Sequence, residues 1–295
     1  MAEQTSLPPP LPRIHGPKLP SFSTTENVQI QFIESLGQAE DQDACVWEVE
    51  IEGKRYALKM NLESYVDYYD PFNCECRVYG RLKAEGREDL AIQAYGYILL
   101  TPEQEKFVAE SETDVPEQDD GILNGHGFWE RWEEHRGQPV RAIVKELVAR
   151  CPGEIGPLEF QVSHIPQMWE DLDALHSLGI LVRDIHYANY LRGKLVDFSR
   201  AWTMYHPSLD LVRPIHLITL RKTDVLDLEQ LIYDYWGQNS SRFPEDYKLP
   251  PGLVNCTGES DECGADPRAY NWMAREKEVF VPEELFRPQD TFSDG

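Results

Sequence analysis

The segment HSLGILVRDIHYANYLRGKLVDFSRAW, His176 to Trp202, decides how the chain is read. It sets Asp184 and Asn189 five residues apart after an apolar turn, and puts Asp197 eight residues further on, at the end of a short apolar strand. Phosphoryl transfer uses such a set. One carboxylate orients an attacking hydroxyl and accepts its proton, while a second carboxylate and an amide hold Mg²⁺ against phosphate oxygens. Just upstream, Ile165, Met168, Trp169, Leu172, Leu175 and Leu178 recur at helical spacing, and Gly179 ends the run. Two short strands are expected on either side of Gly193, and a helix over Val225 to Trp236.

The N-terminal half reads differently. Gln29 to Leu36, Cys45 to Ile51 and Tyr56 to Met60 look like strands, the last two joined by a turn at Glu52-Gly53-Lys54-Arg55. Asp70 is placed to cap a helix with Pro71 at its first position, and Phe72, Glu75, Tyr79 and Leu82 follow along one stripe. Ala91 to Leu100 and Val140 to Val148 are further strand candidates. Between them, residues 101 to 121 hold eight acids and one lysine, which suggests a charged loop. The fold class is α+β: a small sheet lobe, then a larger helical lobe, with a cleft between.

RDIHYAN followed by VDFS resembles the catalytic and metal-binding loops of the protein-kinase superfamily. The resemblance implies a two-lobed protein-kinase-like fold using ATP and Mg²⁺, with a small molecule or a protein hydroxyl as acceptor. Tyr56-Ala57-Leu58-Lys59 resembles the strand with the phosphate-binding lysine, and alternation puts Ala57 and Lys59 on one face. On this likeness Glu75 fixes Lys59, Asp184 is the catalytic base, and Asn189 and Asp197 hold Mg²⁺. Backbone near Lys145, Glu146 and Leu147 meets adenine, and Asp224 braces the catalytic loop. GPKLP at Gly16, DPFNCECRVYGRL at Asp70 and VRDI…NYL…LVDFSRAW are similar to a fungal kinase-like family labelled after a kinetochore-complex subunit. The implied organisation is a disordered Pro-rich tail over residues 1–25 and an N-lobe over 26–148 with an acidic insertion at 101–138. A C-lobe over 149–240 and an acidic extension over 241–295 follow.

Some features depart from the kinase pattern. Leu36 to Asp43, where a glycine-rich phosphate cover belongs, has one glycine and three acids. Like unit charges 4 Å apart repel by about 4 kcal/mol at an effective dielectric of 20. Ser199 stands where the glycine after Asp197-Phe198 is usual, and Val182 where histidine is usual. Only 26 residues separate Asp197 from Asp224, a short platform for gripping a peptide. Asp184-x-His186-x-x-Asn189 is similar to kinases of small molecules. The alternative is therefore a pseudokinase acting as scaffold or binding module in a fungal assembly, with a protein partner.

Composition narrows the classes. The net charge is −24 and no Lys/Arg cluster is present, so direct nucleic-acid binding is not expected. No apolar run approaches the roughly 20 residues a membrane span needs. The six cysteines form no CxxC pair, and the chain starts without a signal pattern. An intracellular address, cytoplasmic or nuclear, follows as the expectation. Cys256 and Cys263 are a lesser option for pairing or metal binding.

Overall fold

The computed structural model describes residues 16, 18–23, 28–37, 44–62, 68–112, 128–129, 138–148, 158–239, 243 and 265–272. The sheet strands are β1 (Gln31–Gly37), β2 (Ala44–Ile51), β3 (Lys54–Asn61), β4 (Ala94–Leu99) and β5 (Arg141–Lys145). They pair antiparallel in the order β1-β2-β3-β5-β4. The turn between β2 and β3 has φ of 53° at Glu52 and 75° at Gly53. Two left-handed residues in a two-residue loop match the right-handed twist of the strands they join.

Register divides the sheet into two faces. Tyr56, Leu58 and Met60 of β3 join Trp47, Val49 and Ile51 of β2 and Ala142 and Val144 of β5 in one apolar cluster. The other face carries Ala57 opposite Lys145 and Lys59 opposite Ile143. Lysine thus occurs twice on the face that turns toward the rest of the molecule.

Helix α1 (Pro71–Ala84) crosses that face. Asp70 caps it as expected, its carboxylate accepting from the Asn73 amide at 3.0 Å. The helix is buried on nearly all sides, wider than a single stripe, and even Arg77 and Arg81 are inside. Both arginines reach past the helix. Arg77 donates to the Tyr205 carbonyl at 2.5 Å, and Arg81 to the carbonyls of Leu178, at 2.7 Å, and Met204. Backbone carbonyls thus answer part of each buried guanidinium charge.

The acidic stretch after β4 corrects the reading from composition. Its first part is helix α2 (Pro102–Glu112). Thr101 and Gln104 cap each other reciprocally, with Pro102 in the first turn. Glu105 turns inward and accepts from the Val140 amide at 2.7 Å, and Val108 and Ala109 are buried beside it. Acidic composition outweighed a capping signal that was present. Residues 113–127 and 130–137 of that stretch lie outside the described residues.

The remaining elements are mostly helical: α3 (Ile165–Ser177), strand pairs β6 (Ile180–Leu181) with β9 (Trp202–Thr203) and β7 (Tyr190–Leu191) with β8 (Lys194–Leu195), then α4 (Pro207–Leu211) and α5 (Pro214–Asn239). Helix α5 starts at Pro214 rather than Val225. A single large cluster joins α1, α3, α5 and the inward residues Ala94 and Ile143 of the sheet. Among the described residues no helix is long and apolar enough to cross a membrane.

Two segments expected to be tail are packed as straps. Leu19 is buried, its amide donates to the Cys76 carbonyl at 2.8 Å, and Phe22 and Pro20 bond to Tyr97 on the outer edge of β4. Side chains are excluded where the strap crosses: a Cβ on Gly80 or Gly96 would lie 2.5 Å from the backbone of Lys18 or Phe22. At the other end, Ala265 donates to Asp173 at 3.0 Å and Tyr270 donates to Glu85 at 2.8 Å. Residues 1–15, 240–242, 244–264 and 273–295 lie outside the described residues.

Cys45, Cys74 and Cys76 are free and buried. Burial pushes the Cys45 and Cys74 thiols up to about 12, so they remain protonated packing groups. Cys151, Cys256 and Cys263 lie outside the described residues.

Candidate functional site

Strand β3 and helix α1 bring Lys59 and Glu75 together as an ion pair with both side chains buried. Asp197, just after β8, joins them: its carboxylate lies 2.6 Å from the Lys59 ammonium. A fourth charge enters from β5. The Lys145 ammonium lies 2.7 Å from the second Glu75 oxygen and donates to the Val196 carbonyl at 2.6 Å. It also sits over the Tyr79 ring, 5.1 Å from its centre. Two cations and two anions therefore share one pocket beneath the sheet.

Burial pushes the Glu75 carboxyl up, against the pull of Lys145 and Lys59. Burial would also raise Asp197, but Lys59, a hydrogen bond with Glu75 and Lys145 outweigh it and hold that carboxyl well below the usual range. An isolated charge here would cost several kcal/mol, so the four groups stand or fall as a set.

Lys145 is the member that sequence reasoning missed as a side chain. Its signal was available: in Arg141-Ala-Ile-Val-Lys145, alternation puts a lysine on the same face as buried Ile143. Glu48 was missed as well. It stands opposite Ala57 in the β2–β3 register, nearly buried and paired with Arg55 at 2.6 Å. Of the backbone proposed to meet a base, the Glu146 amide already donates to the Gln93 carbonyl at 2.9 Å.

The loop from Val182 to Asn189 is built on Asp224 of α5. One carboxylate oxygen accepts from the Val182 amide and from His176, at 2.8 and 2.9 Å; the other accepts from the Arg183 amide at 2.8 Å. Arg183 has φ of 65°, a left-handed conformation that costs a non-glycine residue of order 1 kcal/mol. The brace holds it there, as the sequence reading expected of Asp224. The Asn189 amide then donates to the Asp184 carbonyl at 2.9 Å and reaches its carboxylate at 3.3 Å. The Asp184 side chain is 39% exposed, with His186 at 3.7 Å.

So the fold brings Lys59, Glu75 and Asp197 into one cluster and Asp184 and Asn189 into another. Oxygens of Asn189 and Asp197 are the donor type that Mg²⁺ takes, together with phosphate and water. Asp197 is nonetheless committed to Lys59 and to the Ser199 amide, at 2.8 Å for the latter. Among the described residues no group of three or more His, Cys, Asp or Glu gathers as a metal site. The donor chemistry suits Mg²⁺: both of those Asp197 contacts fall on one carboxylate oxygen, and the Asp197 side chain remains 24% exposed. Gln38 to Asp43 of the acidic loop lie outside the described residues.

A family model described as Kinetochore Sim4 complex subunit FTA2 matches residues 7–202, from the tail before the first strap through the end of the VDFSRAW segment. No curated protein matches the chain.

Proposed function

The chain belongs to the family of Kinetochore Sim4 complex subunit FTA2, and from that premise we propose that it is a scaffold subunit of a protein complex, built on a kinase-like fold whose nucleotide groups serve structure. A kinetochore complex subunit is an intracellular, nuclear protein, which fits a chain whose described helices include none able to span a membrane. Its partner is protein, since a surface with a net charge of −24 repels the DNA backbone.

One observation carries this reading: Lys145 closes the charge set. In a phosphotransferase, Lys59 faces phosphate and Asp197 faces metal. Here, among the described residues, the two lysines and two carboxylates balance one another beneath the sheet. The β1-β2-β3-β5-β4 sheet, the Lys59–Glu75 pair and the Asp224 brace support kinase-like ancestry. On that ancestry residues 26–148 and 149–240 are the two lobes.

A second reading has one specific observation in its favour. Asp184 is exposed, bonded to Asn189 and held on a braced backbone, as a catalytic base needs. In that case ATP would lie against Ala57, Lys59, Glu146 and Leu147, with Asn189 and Asp197 on Mg²⁺. The acceptor would be a small molecule or a protein hydroxyl. The double variant Asp184→Ala, Asn189→Ala separates the readings. A scaffold still enters its complex and supports kinetochore assembly in cells; loss of that function with normal protein levels and complex entry contradicts the scaffold reading.

A further inference from the structure

Helix α5 is apolar on two sides. Its inner side, with Leu217, Val225, Leu228, Leu231, Ile232 and Tyr235, is buried. On the outer side Ile215, Leu226, Tyr233 and Trp236 are all exposed, Ile215 by 62% and Tyr233 by 57%. A helix at a protein surface keeps one apolar stripe, and one that is apolar on both sides is suited to being covered on both. The Tyr233 and Trp236 rings lie together, with centroids 6.0 Å apart. Beside them a Cβ on Gly237 would meet nothing within 4 Å, so this end of the outer side is open.

The outer residues are spaced as a seam. From Ile215 through Lys222, Leu226, Glu229 and Tyr233 to Trp236 the intervals are 7, 4, 3, 4 and 3 residues. At 3.6 residues per turn these six side chains start within about 80° of arc and run along about 32 Å of axis. Intervals of three and four in alternation are the pattern by which one helix packs along another.

The seam is also complementary to its own reverse. Outward from Leu226, a charge comes first in each direction, Lys222 one way and Glu229 the other. A large apolar group comes last, Ile215 one way and Trp236 the other. A second helix of the same sequence, laid antiparallel, therefore sets Leu226 beside Leu226, each Lys222 beside the other's Glu229, and each Ile215 beside the other's Trp236. Glu229 is half-buried, and one of its oxygens has no hydrogen-bond partner among the described residues. Burial pushes its carboxyl up, so an ammonium brought to it relieves that cost. Lys222 has an interaction within its own chain, and three donors let it make a second. A net charge of −24 opposes self-contact in general, but this seam carries one charge of each sign. Exposed charges more than about 8 Å away are largely screened at physiological salt, so the charges on the seam decide.

We propose that α5 is a self-association surface, pairing antiparallel with α5 of a second copy of this chain across a two-fold axis at Leu226. Such an interface is isologous: the same patch serves both copies, and every contact occurs twice. It goes beyond the scaffold reading, because a paired scaffold offers its complex two copies of each remaining surface.

The test is sedimentation equilibrium of the full chain from nanomolar to high micromolar concentration, with circular dichroism to confirm that each variant is folded. The mass is expected to rise from one chain to two, and Leu226→Glu is expected to remain a single chain. Lys222→Glu and Glu229→Lys each set like charges across the axis and are expected to weaken pairing about tenfold. An equimolar mixture of those two variants, or the double variant Lys222→Glu, Glu229→Lys alone, is expected to pair as the unaltered chain does. A chain that stays single at every concentration overturns the proposal. So does a dimer indifferent to Leu226→Glu, which would place the interface elsewhere. A mixture of the charge variants that pairs no better than either alone overturns the antiparallel arrangement. An unaltered chain that stays single while Leu226→Glu blocks its entry into its complex overturns it as well, because the occupant would then be a different protein.

Discussion

The pocket beneath the sheet and the loop above α5 contain residues of the same apparent chemistry in opposite physical states. Glu75 is wholly buried between two lysines, and Asp184 is 39% exposed with an amide and an imidazole for company. In the first, every charge is answered by another side chain. In the second, the backbone is answered by Asp224, and the carboxylate meets the Asn189 amide at 3.3 Å while staying open to water. The difference teaches that a recognisable set of residues can divide, one part retained because the fold needs it and the other free to serve or to lapse.

Breaking the closed region has the largest expected effect. Glu75→Ala leaves Lys59 and Lys145 facing each other in a buried pocket with Asp197 alone to balance them, a loss of about 5 kcal/mol. Urea unfolding measures it, and a loss below about 1 kcal/mol would show the pocket to be wet and the pairing weak. Asp224→Ala comes next. It strips the acceptors from the buried Val182 amide, the part-buried Arg183 amide and buried His176, about 4 kcal/mol in all, and releases the strained Arg183. If the loop relaxes instead, the loss is small and Trp202 moves.

A pH scan sharpens the contrast from a third place. His206 accepts from the Ser208 amide through Nδ1 and lies against the Tyr68 carbonyl through Nε2, an arrangement that requires the neutral ring. Burial, with Arg77 and Arg183 nearby, lowers its pKa to about 4 despite the Tyr68 bond. Between 6.5 and 4 the unfolded chain binds this proton and the folded chain does not. Stability is therefore whole above pH 6.5 and falls as the pH drops toward 4, by about 3 kcal/mol from this group. His206→Gln should flatten that slope; an unchanged slope would assign it to other groups. The smallest effect belongs to the open region, where Asp184→Ala should change stability by no more than about 0.5 kcal/mol. A larger loss would mean the loop leans on that carboxylate after all.

Much of this was legible where the signal is local. Asp70-Pro71 announced a helix start and Glu52-Gly53 a hairpin. Asp224 was also readable, through resemblance. Signals that depend on distant chain were not. The strap from Lys18 to Ser23 has no periodicity of its own; it is held by Leu19 entering the core and by the bare Cα atoms of Gly80 and Gly96. Helix α2 was hidden by its acids, although Thr101-Pro102-Glu103-Gln104 spelled its cap. Lys145 was read for its backbone, because only the β3–β5 register shows that its side chain meets Glu75.

The most direct test of the closed-pocket account is thermal unfolding of the full chain with and without millimolar Mg-ATP. A self-balanced cluster predicts the same melting temperature in both. A ligand at a hundredfold excess over its Kd stabilises by about 2.7 kcal/mol, several degrees in a chain of this size, and a rise of that order that disappears in Lys59→Met would contradict the account.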